Sequence, residues 1–90
     1  MQGAYYFLIS GRVQGVCFRA SARDMARALG LNGWIRNRED GCVEGMACGP
    51  KIALNEFYEW LGHGPDAARV ERVTFEPTTL ATTDSRFVIR

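Results

Sequence analysis

An α+β domain, an antiparallel sheet covered on one face by two helices, is what this 90-residue sequence predicts. Three observations carry that expectation. Short apolar segments bounded by turn residues recur along the chain, and the first alternates with the two-residue period of a strand. Two intervening segments carry apolar residues at steps of three and four, the spacing of an amphipathic helix. The order is β-α-β-β-α-β with a short extra strand at the end, and the length suits one core spanning residues 1–90.

Ala4 to Ser10 places Tyr5, Phe7 and Ile9 on one parity and Tyr6 and Leu8 on the other, which predicts a central strand. Gly11 to Phe18 breaks that periodicity with two glycines. Arg19 to Leu29 reads as a helix, with Phe18, Ala22, Met25 and Leu29 on one face and Gly30 as its stop. Asn32–Asn37 and Cys42–Cys48 read as two strands joined through Asp40-Gly41, because Gly accepts positive φ at low cost. Pro50 fits the first position of a second helix running to about Leu61, with Ala53, Phe57, Trp60 and Leu61 on one face. Val70, Val73 and Phe75 mark a fourth strand, and Phe87 to Arg90 a short last one. Right-handed crossovers then give a ferredoxin-like sandwich. That fold hosts many functions, so function has to come from a site.

Composition narrows the classes. Hydrophobic residues make up 47% and charged residues 23%, a globular balance that excludes disorder. Eleven basic and ten acidic residues give a net charge of +1, and the arginines are scattered from Arg12 to Arg90 with Lys51 the only Lys. No basic run exists, which argues against a purely electrostatic nucleic-acid binder. The apolar run Ala4–Ile9 is far short of the ~20 residues a membrane span needs, and it lacks the flanks of a signal peptide. Three cysteines do not make a disulfide framework, and Cys42 and Cys48 would stand roughly 20 Å apart on one extended strand. No C-x-x-C pair exists, and the lone His63 offers no metal-ligand cluster. The expectation is a soluble, cytoplasmic, metal-free, monomeric domain.

The chemistry-bearing segment is Gly11 to Arg19, G-R-V-Q-G-V-C-F-R, between a strand and a helix. Gly15 can turn successive backbone N–H groups inward, and such a nest at a helix N-terminus suits a phosphate dianion. Arg19, in the first helical turn, can aim its guanidinium fork at the same anion. The plain alternative is a glycine-containing connector with a solvated Arg. The G-K-[ST] element of a Walker A loop is absent. In the second segment, Gly33 to Gly49, Asn37 falls near the end of its strand; its amide can hold a water by two contacts, although Asn before a turn is also common for purely local reasons.

Taken together the two segments resemble the signature motifs of the acylphosphatase family. Gly11, Val13, Gln14, Gly15, Val16, Phe18 and Arg19 meet the first; Gly33, Trp34, Asn37, Gly41, Val43 and Gly49 meet the second, with Ile35 slightly larger than expected. Phe57, Trp60-Leu61, Gly64-Pro65, Val70-Glu71 and Phe87 extend the resemblance into the tail, while Arg90 stands where some relatives carry an aromatic. The resemblance implies hydrolysis of carboxyl-phosphate anhydrides, with inorganic phosphate as product and inhibitor and no metal or organic cofactor. It implies that Arg19 binds the phosphoryl group together with the loop residues Gln14, Gly15, Val16, Cys17 and Phe18, and that Asn37 positions the attacking water.

Elementary chemistry agrees with this. The leaving carboxylate has a conjugate-acid pKa near that of Glu, ~4.3, so it departs without a general acid. Phosphoryl transfer asks mainly for positioning and charge stabilisation, which Asn and an Arg-plus-amide cradle supply. Among the other residues, His63 reads as solvated at a helix end. Cys17 is either a thiol activated by the helix terminus or, the favoured reading, a small loop filler facing away. Cys42, Met46 and Cys48 read as sheet-face packing, and Trp34 and Trp60 as core aromatics. Arg12, Arg36 and Arg38 read either as adding positive potential near the site or, singly the favoured reading, as solvated. The rival functions are a nucleic-acid-binding module, disfavoured because Cys42–Cys48 carries no aromatic, and an anion-binding regulatory domain without catalysis.

Overall fold

The computed structural model describes residues 2–79 and 84–90. Seven elements follow in the expected order: β1 (Gln2–Arg12), α1 (Phe18–Ala28), β2 (Asn32–Asn37), β3 (Val43–Pro50), α2 (Lys51–Leu61), β4 (Arg69–Pro77) and β5 (Phe87–Ile89). The sheet order is β4-β1-β3-β2-β5. The first four strands pair antiparallel, as expected, but β5 lies parallel to β2, with Ile35 opposite Ile89, so the complete sheet is mixed.

Strand alternation sorts the side chains into two faces. Phe7, Ile9, Ile35, Val43, Ala47 and Phe87 face the helices and are buried. Phe18, Ala22 and Ala26 of α1 and Ala53, Leu54, Phe57 and Leu61 of α2 close over them. Phe57 meets Phe7 and Phe87 edge to face, at 5.7 and 5.6 Å between centroids. Burial of each such ring contributes about 1.5–3 kcal/mol.

Three local expectations are corrected. Pro50 is the N-cap of α2 in extended conformation (φ −62, ψ 144), not its first helical residue, so β3 runs straight into the helix. Trp34 is not a core aromatic. It faces the open side, half-buried, with the guanidinium groups of Arg36 and Arg90 over its ring at 5.2 and 4.9 Å. Cys17, read as a small loop filler facing away, is exposed at the N-cap position of α1, where its side chain makes no cap bond, and is among the residues lining the cavity that holds Arg19. Trp60, by contrast, packs on the core as expected, 5.5 Å from Phe18.

Candidate active site

The β1–α1 connection begins with a bulge between Ser10 and Gly11 that re-aims the strand. At Gly11 (φ 123) a Cβ would run into the Arg69 carbonyl, so only Gly can pass β4 so closely. Gly15 (φ 73) and Cys17 (φ 64) then adopt the left-handed conformation, the second at the cap of α1. The first backbone bond of the helix runs from Ser21 N–H to the Cys17 carbonyl. The amides of Phe18, Arg19 and Ala20 therefore precede the helical ladder, and neither a capping side chain nor a first-turn carboxylate occupies them. The partial positive charge of the terminus is left for an external anion.

A cavity of about 180 Å³ opens here, lined by Gly15, Cys17 and Arg19 and walled by Val13, Phe18, Ala20 and Ile89. Arg19 is half-buried, and among the described residues no carboxylate pairs with it. A guanidinium with no carboxylate partner among the described residues, beside helix-terminal amides, is suited to an oxyanion. Val16 packs against the core, half-buried.

Gln14 has a different part. Its Nε2 donates to the carbonyls of Arg38 (2.8 Å) and Cys42 (2.9 Å), so both amide protons are engaged. The side chain is a strut between the loop and the β2–β3 hairpin; for an anion Gln14 keeps only its backbone N–H.

Asn37 is exposed at the last register pair of the hairpin, opposite Val43, and its amide has no hydrogen-bond partner among the described residues. It lines a broader hollow of about 590 Å³ with Arg36, Arg38, Glu39, Asp40 and Glu44, which shares no residue with the Arg19 cavity. Two connections join them. Gln14 ties the loop to the carbonyl of Arg38, the residue after Asn37. Ile89, in the Arg19 cavity, pairs with Ile35 two residues before Asn37, and the Arg90 N–H donates to the Ile35 carbonyl at 2.9 Å. Asn37 shares the helix-side parity of Ile35.

The hairpin turn itself is as expected. Gly41 has φ 90, and the Asp40 carboxylate accepts from Cys42 N–H at 3.1 Å. That bond, followed by Arg38, holds the Asp40 carboxyl below its usual range. Arg36 and Arg38 are not merely solvated: both pair with the nearly buried Glu44. Burial pushes the Glu44 carboxyl up, but hydrogen bonds from Tyr6, Arg36 and Arg38 outweigh it and hold it below the ordinary value. Burial and then Glu44 push the Tyr6 hydroxyl up.

Sequence reasoning missed the strut role of Gln14, the Ile89 wall and the Glu44 cluster. Only the last left a local sign: Arg36 and Arg38 share one parity, and Glu44 interrupts an otherwise apolar strand. Among the described residues, no group of three or more His, Cys, Asp or Glu side chains is placed to hold a metal ion, and no helix is long and apolar enough to cross a membrane.

The family model for acylphosphatase matches residues 5–89, both glycine-bearing segments and β5 included. The chain belongs to the acylphosphatase family. It is 56% identical over 69 residues to an acylphosphatase of Halorhodospira halophila, covering 77% of this chain and 75% of that one. Two solved acylphosphatase structures superpose over nearly its whole length. That from Coxiella burnetii has a TM-score of 0.93 at 38% identity, covering 99% of this chain and 93% of the other. That from Bacillus subtilis has a TM-score of 0.92 at 36% identity, covering 100% and 99%. The acylphosphatase fold thus includes β5, the strand that walls the Arg19 cavity.

Proposed function

We propose that this chain hydrolyses acyl phosphates to a carboxylate and inorganic phosphate, as a metal-independent monomer of the cytoplasm. Arg19 and the Gly15–Arg19 amides hold the phosphoryl group, and Asn37 orients the water. The oxygen of that water attacks phosphorus, the bond from phosphorus to the carboxylate oxygen breaks, and a phosphate oxygen takes the water's proton. The observation that carries the reading is the half-buried Arg19, with no carboxylate partner among the described residues, lining a cavity at a helix N-terminus that has no side-chain cap. The reading needs neither a general acid nor a metal, because the leaving group departs as a stable anion. Phosphate monoesters, whose alkoxides need protonation, are poor substrates. Nucleic acid and membrane have no part in this reading, and the net charge of +1 favours neither.

The test is release of phosphate from acetyl phosphate with a strong chelator present. Turnover unaffected by chelation is the expected result. No turnover, or turnover abolished by the chelator and restored by one divalent ion, overturns the proposal.

A further inference from the structure

The strand end that presents Asn37 is fastened from the opposite face of the sheet. Glu44 is the one charged side chain buried among the described residues, 7% exposed. Its Oε2 accepts from Arg36 Nε at 2.7 Å. Its Oε1 accepts from Arg38 Nη1 at 3.2 Å and from the Tyr6 hydroxyl at 2.6 Å. Arg36 and Arg38 are the two neighbours of Asn37 in the chain.

This arrangement has a geometric consequence. Successive side chains of a strand point to opposite faces. When residues 36 and 38 are both tied to one carboxylate on the open face, the residue between them takes the other parity, that of Ile35, on the helix face. The backbone of this end, the last register pair of the strand, is held by the Arg38 N–H bond to the Cys42 carbonyl at 2.8 Å and by the Gln14 strut; the Glu44 tie adds a hold on the side chains either side of Asn37. Arg36 is further fixed by lying over the Trp34 ring at 5.2 Å. A carboxylate this buried is costly unless its oxygens are well supplied with donors, and two arginines and a hydroxyl supply them.

We propose that Glu44 is a positioning residue for Asn37, acting through the paired guanidinium groups of Arg36 and Arg38. The inference rests on the hydrolase reading above, in which Asn37 orients the attacking water. In this role Glu44 acts on Arg36 and Arg38 and not on the reacting atoms. Its contribution lies in where Asn37 points, and a misplacement of about 1 Å in such a group costs up to ~100-fold in rate.

The test is steady-state hydrolysis of acetyl phosphate by the intact chain and by Glu44→Gln, which keeps the shape and removes the charge. The expected result is a kcat lower by about ten- to a hundredfold, with KM and inhibition by inorganic phosphate within about twofold of the parent. A purely structural role would not produce that split. Should Glu44→Gln melt below the assay temperature, the single variant Arg36→Met carries the test, since Arg36 is exposed and its loss leaves Arg38 and the Tyr6 hydroxyl on the Glu44 carboxylate. The same split is expected of it. An unchanged kcat in the folded variant, or a KM that rises with kcat preserved, overturns the positioning role. Absence of turnover by the parent chain would instead refute the hydrolase reading, so the two failures are distinct.

Discussion

Arg19→Lys is the most direct perturbation of the cavity at the start of α1. It keeps the charge and removes the planar fork, leaving a single point donor where two parallel N–H groups could engage two phosphate oxygens. A hydrogen bond to a charged group contributes about 1.5–3 kcal/mol. Loss of one of the pair lowers the rate by roughly 10- to 160-fold. The walls decide where in that range the effect falls. Val13, Phe18, Ala20 and Ile89 bound a cavity of about 180 Å³ and offer no side-chain donor, and Cys17 adds only a weak thiol donor to replace the lost one. The loss therefore falls toward the upper end, about a hundredfold, or ~2.7 kcal/mol. Acetyl phosphate hydrolysis gives the rate, and inhibition by inorganic phosphate should weaken in parallel, because the anion is held in both substrate and product states. Arg19 has no ion-pair partner among the described residues, so its replacement should move the melting temperature by less than ~4 °C. A near-parent rate, or a fall in rate with phosphate inhibition intact, would refute the assignment of Arg19 to the anion.

Three further expectations follow from other parts of the structure. Asn37→Ala should lower kcat steeply while KM and phosphate inhibition move little; a folded variant with kcat preserved and KM raised would show that Asn37 binds substrate instead. Cys17 holds φ 64 without being Gly, a conformation costing about 1–2 kcal/mol. Cys17→Gly relieves that cost and loses about 0.4–1 kcal/mol through the freer unfolded chain, so thermal melting should show a net rise; a fall would mean that contacts of the thiol outweigh the backbone. The Glu44 carboxyl has a lowered pKa in the fold, so its stabilising contribution is complete above the ordinary glutamate value of ~4.3 and is lost as pH falls through the folded value. Urea titrations across that acid range should give Glu44→Gln a flatter pH dependence than the parent, and identical slopes would assign the acid loss to other carboxylates.

The strands and helices were legible because their signals are local. Phe18 and Ala22 recur at helical spacing, and Asp40-Gly41 announces the hairpin. Trp34 shows where such reading stops. Periodicity separates Trp34 from Ile35 but does not say which parity meets the helices; Ile35 is fully buried and Trp34 lies under two arginines on the open face. The site divides in the same way. Gly15, Arg19 and Asn37 could be singled out because their chemistry is carried by residue type and neighbouring turns. The strut from Gln14 joins residues 24 and 28 positions apart, and the Ile89 wall depends on a parallel pairing with Ile35 that no short window contains.

That pairing also sets an order of events during synthesis. Residues 19 and 37 are made before β5, and the strand that walls the Arg19 cavity comes some fifty residues after Asn37. At ~5–20 residues per second that interval lasts roughly 3–10 s. Through it β2 has no neighbour on its outer side, and its unpaired backbone groups form an open edge beside Trp34 and Ile35. Arrival of β5 therefore does two things at once: it completes the wall against Arg19 and covers the edge on which another nascent chain could pair. A stall before residue 87 would leave a chain with both recognition segments, no finished cavity and an exposed strand, so β5 covers an edge of the folding chain as well as shaping its site.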